Sequence, residues 1–462
     1  MSQRCLLFCT MLVAPALAVS ADIQVQDLGT LGGRVTVAAD LNSSGQVVGY
    51  SETTDGQIHA FLYAKGELQD LGTLGGTGSL ANAINDAGQI TGFALTATGE
   101  SHAFLYSNGA MIDLGPAGTT SSGKAINASG QVAGQATPSD GQSFALLYAG
   151  GQVNAFGQPQ PGSTAEGISG QGQVTGTYPD SSGTHAFFYN GTTFVDLMPG
   201  YTSFVSGTRS INTSGLVTGG FQTGDTLHGF LYSNGQATDI GSLGGGYTVP
   251  TAINNAGKVT GVSAGADGSH HAFIYAGGTP TDVGTLGGAF SVGYALNELD
   301  QVAGESETSS GALHAFATQQ GSLIDIGQTV EGFSPGNVTE SFGSGINASG
   351  QVIGRYTVST PTDTAMPTKT RSFIATLAPS ATNLFQDLLS LSTGVGPGKS
   401  LVSKVEAALA AYLLHNTSAT CSILGGYRQE VEAQEGKKIS AGAASALLQS
   451  VDALRGAVGC TS

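Results

Sequence analysis

Tryptophan is absent from the 462 residues, and charged side chains make up only 10% of them, against about 25% in ordinary soluble chains. A chain this poor in charge is not held open by self-repulsion, and its 40% hydrophobic content is enough for a large core, so disorder through high charge is excluded. Basic residues are scarcer still: 15 Lys and Arg face 32 Asp and Glu, for a net charge of −17. That balance argues against nucleic acid or an anionic membrane surface as partner. Proline is limited to 14 residues and no Gly-X-Y period occurs, which excludes a collagen-like chain. No internal stretch approaches the ~20 apolar residues of a membrane span. Catalytic signatures are also missing: no Gly-x-Ser-x-Gly is read as a strand-to-helix elbow, and there is no His-Glu-x-x-His, no Cys-x-x-Cys and no dinucleotide glycine motif in a strand-to-helix setting.

What is there in abundance is glycine, 72 residues or about 16%, so turns and short strands must dominate over long helices. Residues 1–21 place Arg4 ahead of an apolar stretch ending in small residues, the pattern of a secretory signal peptide cleaved after Ala18 or Ala21. The expected location is therefore secreted: extracellular, periplasmic or at the cell surface. Of four cysteines, Cys5 and Cys9 leave with the leader. In an oxidising compartment Cys421 and Cys460 are expected to pair, with two buried thiols as the alternative.

Internal periodicity dominates residues 22–383. HAFLY begins at His59 and His102, HAFFY at His185, HGFLY at His228, HAFIY at His271 and HAFAT at His314, mostly at steps of 43 residues. A degenerate FALLY follows at Phe144, and SFIATL at Ser372 is read as a last copy. Each repeat holds four short β segments, in the second 79–85, 89–95, 102–107 and 110–115, bounded by Asn, Asp and Gly. Four strands per unit predict a mainly β chain, a β-propeller of about eight four-stranded blades. The HAF motif, together with Asp-Leu-Gly-Thr-Leu-Gly-Gly at 27–33 and 70–76, resembles the bacterial extracellular HAF-repeat proteins. That resemblance implies an exported repeat protein and no established reaction.

The fourth-strand motif is counted nine times, at Asp27, Asp70, Asp113, Ala155, Asp196, Asp239, Asp282, Asp325 and Asp387, against eight of each other segment. The N-terminal segment 23–28 is therefore free to pair with SFIATL and close a ring; an open solenoid of the same repeats is the rival.

Six of the eight histidines stand 11 residues before an aspartate: His59 and Asp70, His102 and Asp113, His185 and Asp196, His228 and Asp239, His271 and Asp282, His314 and Asp325. Each pair spans a hairpin, and a Gly bulge would leave the two in diagonal contact. The third repeat loses both members together, at Phe144 and Ala155, so the pairs read as structural clasps rather than as catalytic or metal sites.

The connections between second and third strands carry carboxylates: Glu52 and Asp55, Glu100, Asp140, Asp180, Asp225, Asp267, Glu305 and Glu307, Asp363. A ring of carboxylates suits Ca²⁺, but polar turns use the same residues and no calcium-loop motif is present, so no cofactor is required. Arg209, Arg355, Arg371 and His270 stand outside the repeat pattern. Asn-x-Ser/Thr triplets begin at Asn42, Asn127, Asn190, Asn212, Asn337, Asn347 and Asn416, mostly in turns.

From 384 to 462 the pattern changes to Ala, Leu, Lys and Glu with apolar residues at helical spacing, predicting a small all-α domain with helices near 384–391, 399–414, 419–434 and 440–456. Its order resembles a FIMAH-type helical domain. The sequence thus supports an exported non-catalytic binding or interaction protein on an acidic β-propeller, with an extracellular glycan or protein as partner. An enzyme acting on extracellular polysaccharide, lyase or hydrolase, and a structural cell-surface protein are the alternatives.

Overall fold

The computed structural model describes residues 23–460, except 156–160, 206, 320, 334–336, 361–362, 364–367, 378–380, 397–398 and 415. The leader expected over 1–21 lies outside the described residues.

Alternating apolar and polar residues between tight turns produce antiparallel meanders. In the second repeat the strands Gly75–Ile84, Ile90–Thr96, Ser101–Ser107 and Ala110–Asp113 pair in that order. The meander recurs along the chain in four four-stranded sheets and two eight-stranded ones. Each eight-stranded sheet is two meanders bridged by a single parallel residue pair, Val35 with Thr370 and His270 with Phe290.

The core lies between the sheets. Ala60 and Leu71 of the first repeat pack with Ile84, Ile90 and Phe104 of the second. The motif phenylalanines Phe61, Phe104, Phe187, Phe230, Phe273 and Phe316 are wholly buried, each stabilising by roughly 1.5–3 kcal/mol relative to exposure. Gly92 illustrates the close strand approach beneath them: a Cβ there would lie 1.9 Å from the Leu80 carbonyl oxygen. Immediately beyond, the ladder slips between Ala81 and Ala83, and the bulge recurs at Ala38/Asp40, Pro250/Ala252, Gly293/Ala295 and Gly343/Gly345. Bulges free one residue of each inner strand from pairing.

The chain closes on itself. Gln24–Asp27 pairs antiparallel with Thr368–Thr376, supplying the fourth strand that the last repeat lacks. Asp387 is not a further strand: it lies in the helix Ala381–Ser392, where Leu384, Phe385 and Leu388 recur at helical spacing and are buried. The register also shifts the eighth motif by one residue. Arg371, opposite Tyr356, holds the place that His59 takes opposite Ser51, so Arg371 rather than Ser372 is the equivalent of the motif histidine.

Turn asparagines reinforce the closure. The side-chain amide of Asn42 donates to the carbonyl of Asn85 at 3.2 Å, Asn85 to Asn127 at 2.9 Å and Asn127 to Ser169 at 3.0 Å. The series resumes from Asn212 to Asn254, Asn297 and Asn347, and Asn347 donates back to Asn42 at 3.0 Å. Asn42, Asn127, Asn212 and Asn347, read from sequence as triplet residues in turns, are therefore buried structural donors. The series breaks at Ser169, whose hydroxyl reaches only within its own turn, to Gln173.

The helices Ala381–Ser392, Ser400–Leu413, Thr417–Gln434 and Ala441–Ala457 enclose a separate core around Phe385, Leu424, Tyr427 and Val451. Asn416 and Ser440 cap two of them by accepting from the amides of Ala419 and Ala443. Cys421 and Cys460 form a disulfide. Among the described residues no helix is long and apolar enough to cross a membrane.

Candidate functional site

The histidines and aspartates meet, repeat by repeat. Asp113 stands opposite Phe104, two residues beyond His102, so the contact is diagonal; the His102 Nδ1–H donates to the Asp113 carboxylate at 2.9 Å. The same bond joins His59 to Asp70 at 2.8 Å, His228 to Asp239 at 3.0 Å, His271 to Asp282 at 2.8 Å and His314 to Asp325 at 2.9 Å. His185 differs, with its Nδ1 3.6 Å from Asp196 and its Nε2 bonded to Ser182 and Asp180. Five of these aspartates also accept the backbone N–H two residues on, as Asp113 does from Gly115 at 2.8 Å, which holds the turn into the next repeat, while Asp325 accepts from Gln328 and caps the helix Ile326–Glu331. Among the described residues no three His, Cys, Asp or Glu side chains converge as a metal site.

The connecting carboxylates divide. Asp180 and Asp267 accept from Ser182 and Ser269, and Asp55 from Thr53, two residues on or back in tight turns. Those hydrogen bonds lower all three carboxyl pKa values. Glu52, Glu305 and Glu307 are not in connections. They belong to the strands Val47–Thr53 and Val302–Thr308, where Glu52 and Glu307 accept the amides of Arg34 and Ala289 on the preceding inner strand.

Glu305 leads into the middle of the ring. There, inner strands of four repeats, a turn of a fifth and Arg355 of the last line a cavity of about 470 Å³, formed by Val37, Ala38, Thr208, Arg209, Thr251, Tyr294, Phe342, Ser344 and Arg355. Arg209 arrives through an insertion: nine residues separate Ser203 from Asn212, where six separate Ser79 from Asn85. The extra residues wind into the 3₁₀ turn Gly207–Ser210, and the guanidinium crosses to Asp40 at 3.3 Å. Asp40 keeps a quarter of its side chain exposed and loses the rest of its hydration to the surrounding protein. That loss of bulk water raises its pKa, and Arg209 pulls it back.

Thr251, Tyr294 and Ser344 each occupy a bulge, and each lines the cavity. Tyr294 donates its hydroxyl to Glu305 Oε1 at 2.6 Å. Glu305 is only 6% exposed, and its Oε2 has no hydrogen-bond partner. Burial raises the Glu305 pKa, opposed by the Tyr294 bond and by the charge of Arg355. Burial and the same carboxylate raise that of Tyr294. Arg355 lies over the Phe342 ring, 5.0 Å from its centre.

Of the four residues outside the repeat pattern, Arg209 and Arg355 therefore share one cavity. Arg371 lies opposite Tyr356, and His270 packs edge-on against Tyr247 at 5.4 Å. Asp40 and Tyr294 escaped sequence reasoning, and Glu305 reads in sequence only as a carboxylate of a strand connection. Aligning the repeats reveals the signal: Glu305 and Arg355 fill a strand position held elsewhere by Tyr50, Phe93, Gln135, Thr177, Gly220 and Val262. Elbow spacing does occur in the sequence: in Gly261-Val262-Ser263-Ala264-Gly265 the segment belongs to the strand Val259–Gly265, with no helix after it, and the buried Ser263 hydroxyl bonds to Thr248 and Tyr247. Gly332–Gly336 has the same spacing and falls partly outside the described residues.

No family model and no curated protein sequence matches the chain. Among solved structures it is similar to the Porphyromonas gingivalis dipeptidyl peptidase 4, with a TM-score of 0.42 and 9% identity over 68% of this chain and 54% of that one. It thus spans about half of that peptidase. It is also similar to the β-propeller domain of the Trilobed protease from Pyrococcus furiosus, with a TM-score of 0.36 and 8% identity over 54% and 83% of the two chains. A six-bladed fucose-recognising lectin from Aleuria aurantia has a TM-score of 0.27 and 12% identity over 57% and 94%.

Proposed function

We propose that the chain is an exported, non-catalytic binding protein: a closed eight-bladed β-propeller of the HAF-repeat type, carrying a helical domain and taking a small ligand in its central channel. One observation carries the reading. A local insertion in a single repeat brings Arg209 into the cavity that also holds Arg355, and nothing in ring closure requires that insertion. A cavity of about 470 Å³ falls within the roughly 300–1,000 Å³ typical of small-molecule sites. Binding is favoured over catalysis because the Tyr294 hydroxyl is committed to Glu305 and its raised pKa makes it a poor base. The histidines serve as hairpin clasps, five of them repeating one contact to aspartate, where a catalytic centre would be single. Export is supported by the leader pattern at 1–21 and the Cys421–Cys460 bond.

The test is a melting-temperature screen of the purified protein against glycans, small organic acids and divalent cations, beside the Arg209→Ala/Arg355→Ala double variant. A ligand at 100 times its Kd stabilises the folded state by about 2.7 kcal/mol. Stabilisation in the parent, lost in the double variant, is expected. A ligand that stabilises both equally would place binding elsewhere, and release of product from a polysaccharide would replace binding with catalysis.

A further inference from the structure

Resting on the reading of the channel as a binding site, we propose that its ligand is a sugar acid: a small polyhydroxylated molecule bearing one carboxylate, which docks on Arg355. Among the described residues no group accepts a hydrogen bond from the Arg355 guanidinium, although the side chain is exposed in the cavity. Its contact with the Phe342 ring, 5.0 Å from the ring centre, holds the guanidinium in place without using any of its five N–H donors. A planar fork held in this way matches a carboxylate through two parallel hydrogen bonds. Arg209 makes a single 3.3 Å bond through one nitrogen to Asp40 and keeps further donors for the same guest.

The polar wall sets the rest of the chemistry. Thr251 commits its hydroxyl proton to the Gly293 carbonyl at 2.5 Å, and Ser344 donates weakly to Ile353 at 3.4 Å. What these oxygens offer a guest is lone pairs, so the guest must bring O–H donors. Val37, Ala38 and the rim of Phe342 supply apolar surface for the C–H faces of a sugar ring. Hydroxyls, an apolar face and one anionic group together describe a uronic or aldonic acid. A phosphate ester shares the anionic chemistry, but it carries close to two charges at pH 7. The buried Glu305 and Asp40 already supply negative charge here, and a monoanion meets less repulsion.

Isothermal titration at pH 7 decides the matter, with D-glucuronate, its neutral methyl ester, D-glucose and glucose 6-phosphate as probes of the unmodified protein and of Arg355→Ala and Arg355→Lys. The parent should bind glucuronate at least tenfold more tightly than the ester or glucose. Arg355→Ala should remove that preference, and Arg355→Lys, which keeps the charge but not the fork, should recover part of it. Equal affinity for glucuronate and its ester would overturn the carboxylate while leaving a sugar-binding channel intact. Tighter binding of the phosphate would overturn the monoanion, and binding of none of the four would overturn the sugar-acid class. Because glucuronate against its ester is read on the parent protein, the result stands even if an Arg355 variant fails to fold.

Discussion

Replacing single ring asparagines separates closure from ordinary turn stability. Asn347 does two jobs: its Oδ1 accepts the amides of Ser349 and Gln351 inside the turn, and its Nδ2 donates to Gln351 Oε1 and, across the seam, to the Asn42 carbonyl. Ser169 shows what serine does in this slot, holding the turn amides of Gln171 and Gln173 and making no bond to the next repeat. Asn347→Ser should therefore lose the inter-repeat bond alone, about 1–2 kcal/mol for one buried hydrogen bond, while Asn347→Ala loses the turn as well and falls by about 3–4 kcal/mol. Asn254→Ser, remote from the termini, should match Asn347→Ser, because in a closed ring the two bonds are equivalent. Ser169→Asn should add the missing link toward Asn212 and stabilise by about 0.5–1.5 kcal/mol. With roughly 350 residues in the ring and about 2 cal/mol/K of unfolding entropy each, 1 kcal/mol shifts the melting point by only about 1.4 °C. Urea titration followed by tyrosine fluorescence is the better assay, tryptophan being absent. A harmful Asn254→Ser beside a silent Asn347→Ser would mean that the seam is open.

His102→Ala should destabilise by about 2 kcal/mol and His228→Ala by about 1 kcal/mol or less, since the first histidine is buried and the second has 30% of its side chain exposed; loss of ligand binding without loss of stability in both would make the pairs functional. Reducing the Cys421–Cys460 bond, which spans 39 residues, should lower the stability of the helical region by about 4 kcal/mol by the chain-entropy estimate; two reactive thiols per denatured, unreduced chain would refute the bond. Glu305→Gln should stabilise at pH 7 and not near pH 4. The folded pKa of this carboxyl lies above its ordinary 4.5, so the folded state binds the extra proton and parent stability falls as pH rises from 4.5 through the folded value. An equal effect of Glu305→Gln at both pH values, measured by calorimetry, would contradict that.

The strand meanders and the histidine contacts were legible because both are local: alternation sets each strand, and the 11-residue spacing sets each diagonal pair within one hairpin. The seam was legible in outline, since the segment at 23–28 has no third strand before it. Its register was not, because the eighth repeat drops the histidine that marks the frame and places Arg371 there. Asp387 misled because an Asp-Leu pair fits a strand end as well as the helix that Leu384 and Leu388 specify. The channel was least legible. Arg209 and Asp40 are 169 residues apart, and Glu305 looks like any loop carboxylate until the strand pairing places it beside Tyr294. Residues that share a channel are set by ring closure, which no local pattern encodes.

Everything assigned to the channel requires that the ring close, and the amides of Gln24, Gln26 and Leu28, which face the partner strand, report on it directly. In a closed ring they pair with Thr376, Ile374 and Ser372 and open only when the last repeat opens. Native-state hydrogen exchange should find them protected to the same degree as the partner strand Thr368–Thr376, far beyond what a chain terminus ordinarily retains. Free exchange at Gln24, Gln26 and Leu28 while Thr368–Thr376 stays protected would contradict the closed ring and, with it, the channel site.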